Sequence, residues 1–251
     1  MLKSLSAVVA ALTLVTVAGC GDTGDDKKSS SGGGKTLTVF AAASLTESFN
    51  SLGKTFEASH PGVKVRFNFG GSSTLAQQIN QGAPADVFAA ASPATMKPVS
   101  SSSQIFAKNR LVIATPKDNP GKVGKLSDLS SSKLKVILCA EQVPCGAAAK
   151  KALAAAHVTV KPASQEQDVK AVLTKVRLGE ADAGLVYRSD VKSAAPAVKG
   201  IEFPESAQAI NDYPIVALPK APQSALAKDF VTLVLSPQGK AALTQVGFES
   251  P

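Results

Sequence analysis

The chain has no tryptophan, and only two tyrosines, two histidines and three cysteines in 251 residues. Each scarcity excludes something. Iron sites built from clustered tyrosines need more than Tyr187 and Tyr213. Cys139 and Cys145 have no nearby His or further Cys to complete a tetrahedral metal shell. A serine nucleophile needs a base within hydrogen-bond reach. The two histidines, His60 in the turn before Pro61 and His157 at a helix end, are poorly placed to supply one. No G-x-S-x-G elbow occurs, and no G-x-x-x-x-G-K-[ST] phosphate loop. The acidic pairs Glu47/Glu57 and Glu180/Asp182 read as solvated helix faces, not as an acid–base dyad. Dense basic runs are missing as well. The net charge is +8 with a pI near 9.4, but the lysines are scattered and no aromatics interleave with arginine. That pattern describes a solvated basic surface and argues against nucleic acid as a partner.

What is present begins with a leader. Lys3 supplies a positive n-region, and the apolar run Leu5 to Ala18 is too short to span a bilayer but right for export. It ends in Val17-Ala18-Gly19-Cys20, which resembles a bacterial lipoprotein signal: residues 1–19 are removed and Cys20 carries acyl chains, which hold firmly where a single chain would not. The plainer alternative is an ordinary export signal with a chance cysteine. Residues 20–35, rich in Gly, Ser and charge, read as a flexible tether. The folded part therefore works outside the cytoplasmic membrane, anchored to its outer face. An exported compartment permits disulfides, and with Cys20 lipidated the remaining pair, Cys139 and Cys145, is expected to be bridged.

Apolar residues make up 44% of the chain and charged ones 18%, enough for a sizeable core in one or two domains. Strand-like runs alternate with helical patterns. TLTVFAAA precedes an amphipathic stretch with Leu45, Phe49, Leu52 and Phe56 on one face. VKVRFNF precedes STLAQQINQG, and ADVFAAA precedes a short helix near Pro93. RLVIATP and LKVILCA are strands, the second leading into an alanine-rich helix. QEQDVKAVLTKVRLG carries Val169, Val172, Leu173 and Val176 at helical spacing and stops at Gly179. AGLVY and YPIVALP are strands, and two helices close the chain, divided at Ser236-Pro237. Alternating βα units predict an α/β fold with parallel sheets covered by helices, and their order suggests two lobes.

Two strand-to-helix junctions stand out. FAAASLT places Ala41, Ala42 and Ala43 before Ser44, and FGGSST places Gly70 and Gly71 before Ser72. In such sheets ligands sit beyond the carboxyl ends of strands, where helix starts offer unpaired N–H groups and the positive end of a dipole. Small residues let the backbone come close. Each junction alone also reads as a cap: Ser44 with Glu47, and Thr74 with Gln77, fit the S-x-x-E/Q box. Together they point to a shared anion site.

FAAASLT, GGSSTLAQQI, GAPADVFAAA, VPCGAAAKKAL, DVKAVLTKVRLGEADAGLVYRSDV, FPE, YPIVAL and SPQGKAAL, in this order, resemble the periplasmic molybdate-binding proteins of ABC importers. The resemblance runs from about Thr36 to Phe248. It implies the type II periplasmic-binding-protein fold: two α/β lobes, 36–107 plus 212–251 and 108–211, joined by two crossover strands near Ile105 to Leu111 and Gln208 to Tyr213, with the ligand in the cleft. Carried over residue by residue, it implies hydroxyl donors at Ser44 and Ser72, with Ser73 a one-off alternative. It implies backbone N–H donors at Cys145 and Val169, and a phenol at Tyr187. Cys145 stands where the family more often has alanine. The metal would be met only as its oxyanion, molybdate or tungstate, without direct coordination and without a cofactor. The implied function is a non-enzymatic, monomeric receptor that hands its ligand to an ABC permease and meets the membrane only through its lipid. Sulfate or another oxyanion is the alternative ligand within the fold. An exported serine hydrolase is the alternative from a different class.

Molybdate and tungstate carry no proton at neutral pH, so their site needs donors and no acceptor. The carried-over set contains neither carboxylate nor cation, and helix dipoles would supply the attraction.

Overall fold

The structure, a computed structural model, describes residues 34–251. The leader, Cys20 and the tether up to residue 33 lie outside the described residues. Among the described residues no helix is long and apolar enough to cross a membrane.

The first lobe starts with β1 (Lys35–Ala42), a 3₁₀ turn (Ala43–Leu45) and α1 (Thr46–Ser59). β2 (Val63–Gly70), α2 (Ser72–Asn80), β3 (Val87–Ala89), α3 (Pro93–Met96) and β4 (Gln104–Asn109) follow. The second lobe holds β5 (Leu111–Pro116), β6 (Val136–Cys139), α4 (Pro144–Ala155), β7 (Ser164–Glu166), α5 (Val169–Arg177), β8 (Ala183–Tyr187), α6 (Arg188–Ala194) and β9 (Val198–Ile201). A 3₁₀ turn (Pro204–Ala209) leads back to β10 (Asn211–Ala217), α7 (Ser224–Leu235) and α8 (Pro237–Gln245) in the first lobe.

Each lobe is a five-stranded sheet, ordered β2-β1-β3-β10-β4 in the first and β7-β6-β8-β5-β9 in the second. The sheets are mixed, where alternating βα units predicted parallel ones. β1 runs parallel to β2 and β3, and β6 parallel to β7 and β8. β10 and β5 pair antiparallel with their neighbours. The reason is topological. These two strands enter each sheet directly from the other lobe, without a helical crossover, so they run back against the βα strands. Arg110 alone separates β4 from β5, and Ile210 alone separates the 3₁₀ turn from β10.

The core follows the predicted faces. Leu45, Phe49, Leu52 and Phe56 are buried, and Phe49 and Phe56 meet Phe230 of α7 edge-on at 5.8 and 5.5 Å. Such pairs add to area burial by about 0.5–1.5 kcal/mol each. Val169, Val172, Leu173 and Val176 are buried beneath α5 in the second lobe's core. That helix ends at Gly179, whose φ of +72° suits the left-handed C-terminal position. Ser236 caps α8 through a bond from the Gly239 N–H.

At the hinge, Glu249 accepts from Arg110 Nε and Nη2 at 2.6 and 2.8 Å and from Arg188 Nη1 at 2.9 Å. The tail is thereby fastened to the crossover and to the second lobe. These fork-shaped contacts are geometrically specific.

Candidate functional site

The carboxyl ends of β1, β2, β6 and β8 face the cleft, and the connections after them make its walls. One small cavity lies there, lined by Ala42, Ala43, Ser44, Gly70, Gly71 and Ser72 from the first lobe and Val143, Pro144, Cys145, Val169 and Tyr187 from the second, with Ala91 and Asp168 completing it. The five expected positions thus share one wall set, and Ser73 is not in it. The cavity measures about 20 Å³, on a scale where a single water needs roughly 10–15 Å³. It leaves room for a small solute only. A larger groove of about 490 Å³ on the first lobe, among Ile79, Pro84, Val99, Leu218 and Pro219, brings together no comparable set of donors.

Helix starts converge on this cavity. Cys145 and Val169 sit in the first turns of α4 and α5, where backbone N–H groups have no partner within the helix. In α5, Asp168 is the N-cap, its carboxylate accepting from the Ala171 N–H at 3.0 Å. That bond engages the one carboxylate in the lining and leaves the Val169 N–H uncovered. Cys139 and Cys145 form a disulfide with a Cα separation of 5.8 Å, tying the end of β6 to the start of α4. Gly146 packs so closely on Ala140 that a Cβ there would collide with the Ala140 carbonyl, which holds the donor turn against the strand.

The serines are buried, and neither caps a helix. The boxes expected at Ser44/Glu47 and Thr74/Gln77 do not form: the N-cap positions are Leu45 and Gly71, without side-chain bonds. Ser44 lies one step early, in the 3₁₀ turn, and its Oγ is 2.9 Å from Tyr213 Oη. Glu47 instead accepts from Lys170 Nζ of the opposite lobe at 2.8 and 2.9 Å. Ser72 Oγ accepts from the Ala91 N–H at 3.0 Å, so its own proton remains available to the cavity. Ser73 reaches across the cleft and donates to the Gln142 carbonyl at 2.7 Å. Direct bonds between lobes mark a closed arrangement.

Tyr187 is fully buried, and its hydroxyl has no hydrogen-bond partner among the described residues. An unmatched buried hydroxyl costs free energy, and this one belongs to a cavity-lining residue. Burial, then Tyr213 and Asp190 nearby, raise the Tyr187 pKa well above its ordinary value. The phenol keeps its proton and remains a donor.

Three functional neighbours escaped the sequence reading. Tyr213, the second tyrosine, stands behind Ser44. Asp190 is fully buried, its Oδ2 accepting from the Tyr187 N–H at 3.0 Å and its Oδ1 lying 3.3 Å from Lys170 Nζ. Burial raises its pKa from 3.8 to about 6, with Lys170 opposing the rise. Lys170 therefore joins Asp190 to Glu47 across the cleft. The only sequence signal for these was indirect: two tyrosines in the whole chain, and a lysine directly after a candidate donor.

Neither histidine lines the cavity. His60 stacks on Phe56 and bonds within its own helix end. Among the described residues no group of three or more His, Cys, Asp or Glu could hold a metal ion.

Two α/β lobes joined by two crossings, with helix starts enclosing a small cavity between them, define a two-lobed solute-binding protein. The chain belongs to the bacterial extracellular solute-binding protein family, whose model matches residues 37–249. It is 43% identical over 225 residues to the molybdate-binding protein ModA of Mycobacterium bovis, covering 87% of this chain and 86% of that one. To ModA of Escherichia coli it is 35% identical over 233 residues, covering 84% and 88%. The periplasmic molybdate-binding protein of Azotobacter vinelandii superimposes with a TM-score of 0.74 at 21% identity, over 86% of this chain and 99% of that one. This last likeness is one of fold. The protein is a binding protein and not an enzyme, as its family is.

Proposed function

We propose that the protein is a lipid-anchored receptor that captures molybdate, and tungstate with it, and delivers the anion to an ABC permease. One observation carries the reading. Two serine hydroxyls, a phenol and two helix-start N–H groups line a single cavity of about 20 Å³, with its one carboxylate already engaged as a helix cap. That is a donor set for a small, fully deprotonated oxyanion. Relatives at 43% and 35% identity are named as molybdate-binding proteins, which favours molybdate over sulfate. Cys20 provides the anchor on the outer face of the cytoplasmic membrane, and one chain supplies every donor, so the monomer suffices.

Thermal unfolding of the mature protein with molybdate, tungstate, sulfate or phosphate tests this. A ligand that binds only the native state raises the midpoint by mass action, about 2.7 kcal/mol at a hundredfold excess over Kd. A large rise with molybdate and tungstate and little with the others is expected. A rise with sulfate alone would change the substrate, and no rise with any of the four would refute an oxyanion site.

Ser44→Ala and Ser72→Ala should each weaken molybdate binding by about 2 kcal/mol, the scale of a hydrogen bond to a charged group. Titration calorimetry reads this directly. Unchanged affinity in both would remove the serines from the site.

A further inference from the structure

Ser44 can serve a deprotonated anion only if its proton points into the cavity. Its Oγ shares one hydrogen bond, 2.9 Å long, with Tyr213 Oη, and either oxygen could donate. If Ser44 donates to the phenol, it offers the cavity only lone pairs, which repel an anion. If Tyr213 donates, the Ser44 proton is free for the ligand. The orientation of Tyr213 therefore decides whether Ser44 attracts or repels.

Several features fix Tyr213 beside Ser44 with its proton in place. It is fully buried on β10, which is paired on both sides, with β3 and with β4. Phe106, Phe248 and Tyr187 meet its ring edge-on at 6.3, 5.3 and 6.0 Å. Its pKa is raised, chiefly by burial, so the hydroxyl stays protonated. It does not line the cavity and has no contact of its own to offer the ligand.

Resting on the oxyanion reading above, we infer that Tyr213 is a positioning residue: its hydroxyl donates to Ser44 Oγ and commits the Ser44 proton to the bound anion. A chain phenol→serine→anion also polarises each bond in the same direction, so the links reinforce one another.

The test is a double-mutant cycle on the mature protein, with molybdate affinity measured by calorimetry for the parent, Tyr213→Phe, Ser44→Ala and the double variant. Tyr213→Phe keeps the ring and removes only the hydroxyl. It should weaken binding roughly three- to tenfold. In the Ser44→Ala background the same change should cost nothing further, because a residue that acts only through Ser44 has nothing left to position. Urea unfolding of the ligand-free variants separates this from a general loss of packing, which would lower affinity equally in both backgrounds. Equal losses in both backgrounds, in a protein that binds molybdate, would overturn this inference and leave the function reading intact. A parent protein that binds no oxyanion would overturn both.

Discussion

Gly71→Ala is expected to weaken oxyanion binding up to about a hundredfold while leaving the ligand-free protein close to its normal stability. Gly71 ends the first lobe's donor loop and faces Gln167 of the second lobe. A Cβ at this position would run into the Gln167 carbonyl oxygen. Both sides of that contact are backbone, so no side chain can rotate away. The lobes would have to stand further apart. Overpacking of this kind costs about 1–3 kcal/mol, and the upper part of that range corresponds to about a hundredfold in affinity. With the lobes apart, Gly71 would no longer face Gln167, so the unfolding midpoint of the ligand-free protein should hardly move. Calorimetry with molybdate and urea unfolding without it check the two halves. Undiminished affinity would mean that the closed approach of Gly71 is not the binding state.

Lys170→Met is expected to destabilise the ligand-free protein by about 3 kcal/mol at pH 8 and by much less at pH 5. Among the described residues, Lys170 is the one cation that offsets the buried Asp190 carboxylate. Breaking one side of a buried pair costs about 3–5 kcal/mol. Lys170 is 22% exposed, which places this pair at the low end. The sign follows from linkage. The folded-state pKa of Asp190, about 6, lies above its unfolded value of 3.8. The carboxyl group therefore favours the folded state fully when protonated, and loses stability as pH rises from 3.8 through 6. Without Lys170 that pKa rises further, so the loss extends to higher pH. Near pH 5 the carboxyl is already largely protonated in both proteins. What remains is the Lys170–Glu47 contact across the cleft, made only when the lobes are closed and worth at most about 1 kcal/mol. Urea unfolding at the two pH values distinguishes the cases. An equal loss at both would show that Lys170 does not compensate the Asp190 charge.

Much of the fold was legible because the signals were local. The helical face of Leu45, Phe49, Leu52 and Phe56, the stop at Gly179 and the Ser236 cap each depend on neighbours within a few residues. Short or polar elements were not legible. β7 (Ser164–Glu166) and β9 (Val198–Ile201) are edge strands that owe their conformation to pairing with β6 and β5. ADVFAAA reads as one strand, yet only Val87–Ala89 pairs as such, and beyond it the chain turns to contribute Ala91 to the cavity wall.

The same division runs through the site. Ser44, Ser72, Cys145, Val169 and Tyr187 could be named from small-residue junctions, helix starts and an ordered set of motifs that resemble one family. Their type and place in the chain make each a candidate donor where a strand or helix start meets the cleft. Whether each donor is free depends on long-range partners. Ser44 and Tyr213 are separated by 169 residues, as Glu47 and Lys170 are by 123. Sequence spacing carries no information about such pairs. Only the tertiary structure could show that the caps do not form, that Tyr213 stands behind Ser44, and that Lys170 bridges Asp190 to Glu47. Hydrogen bonds and desolvation act over a few ångströms in space: folding of the first lobe brings Tyr213 to Ser44 and folding of the second brings Lys170 to Asp190, while only the closed cleft brings Lys170 to Glu47.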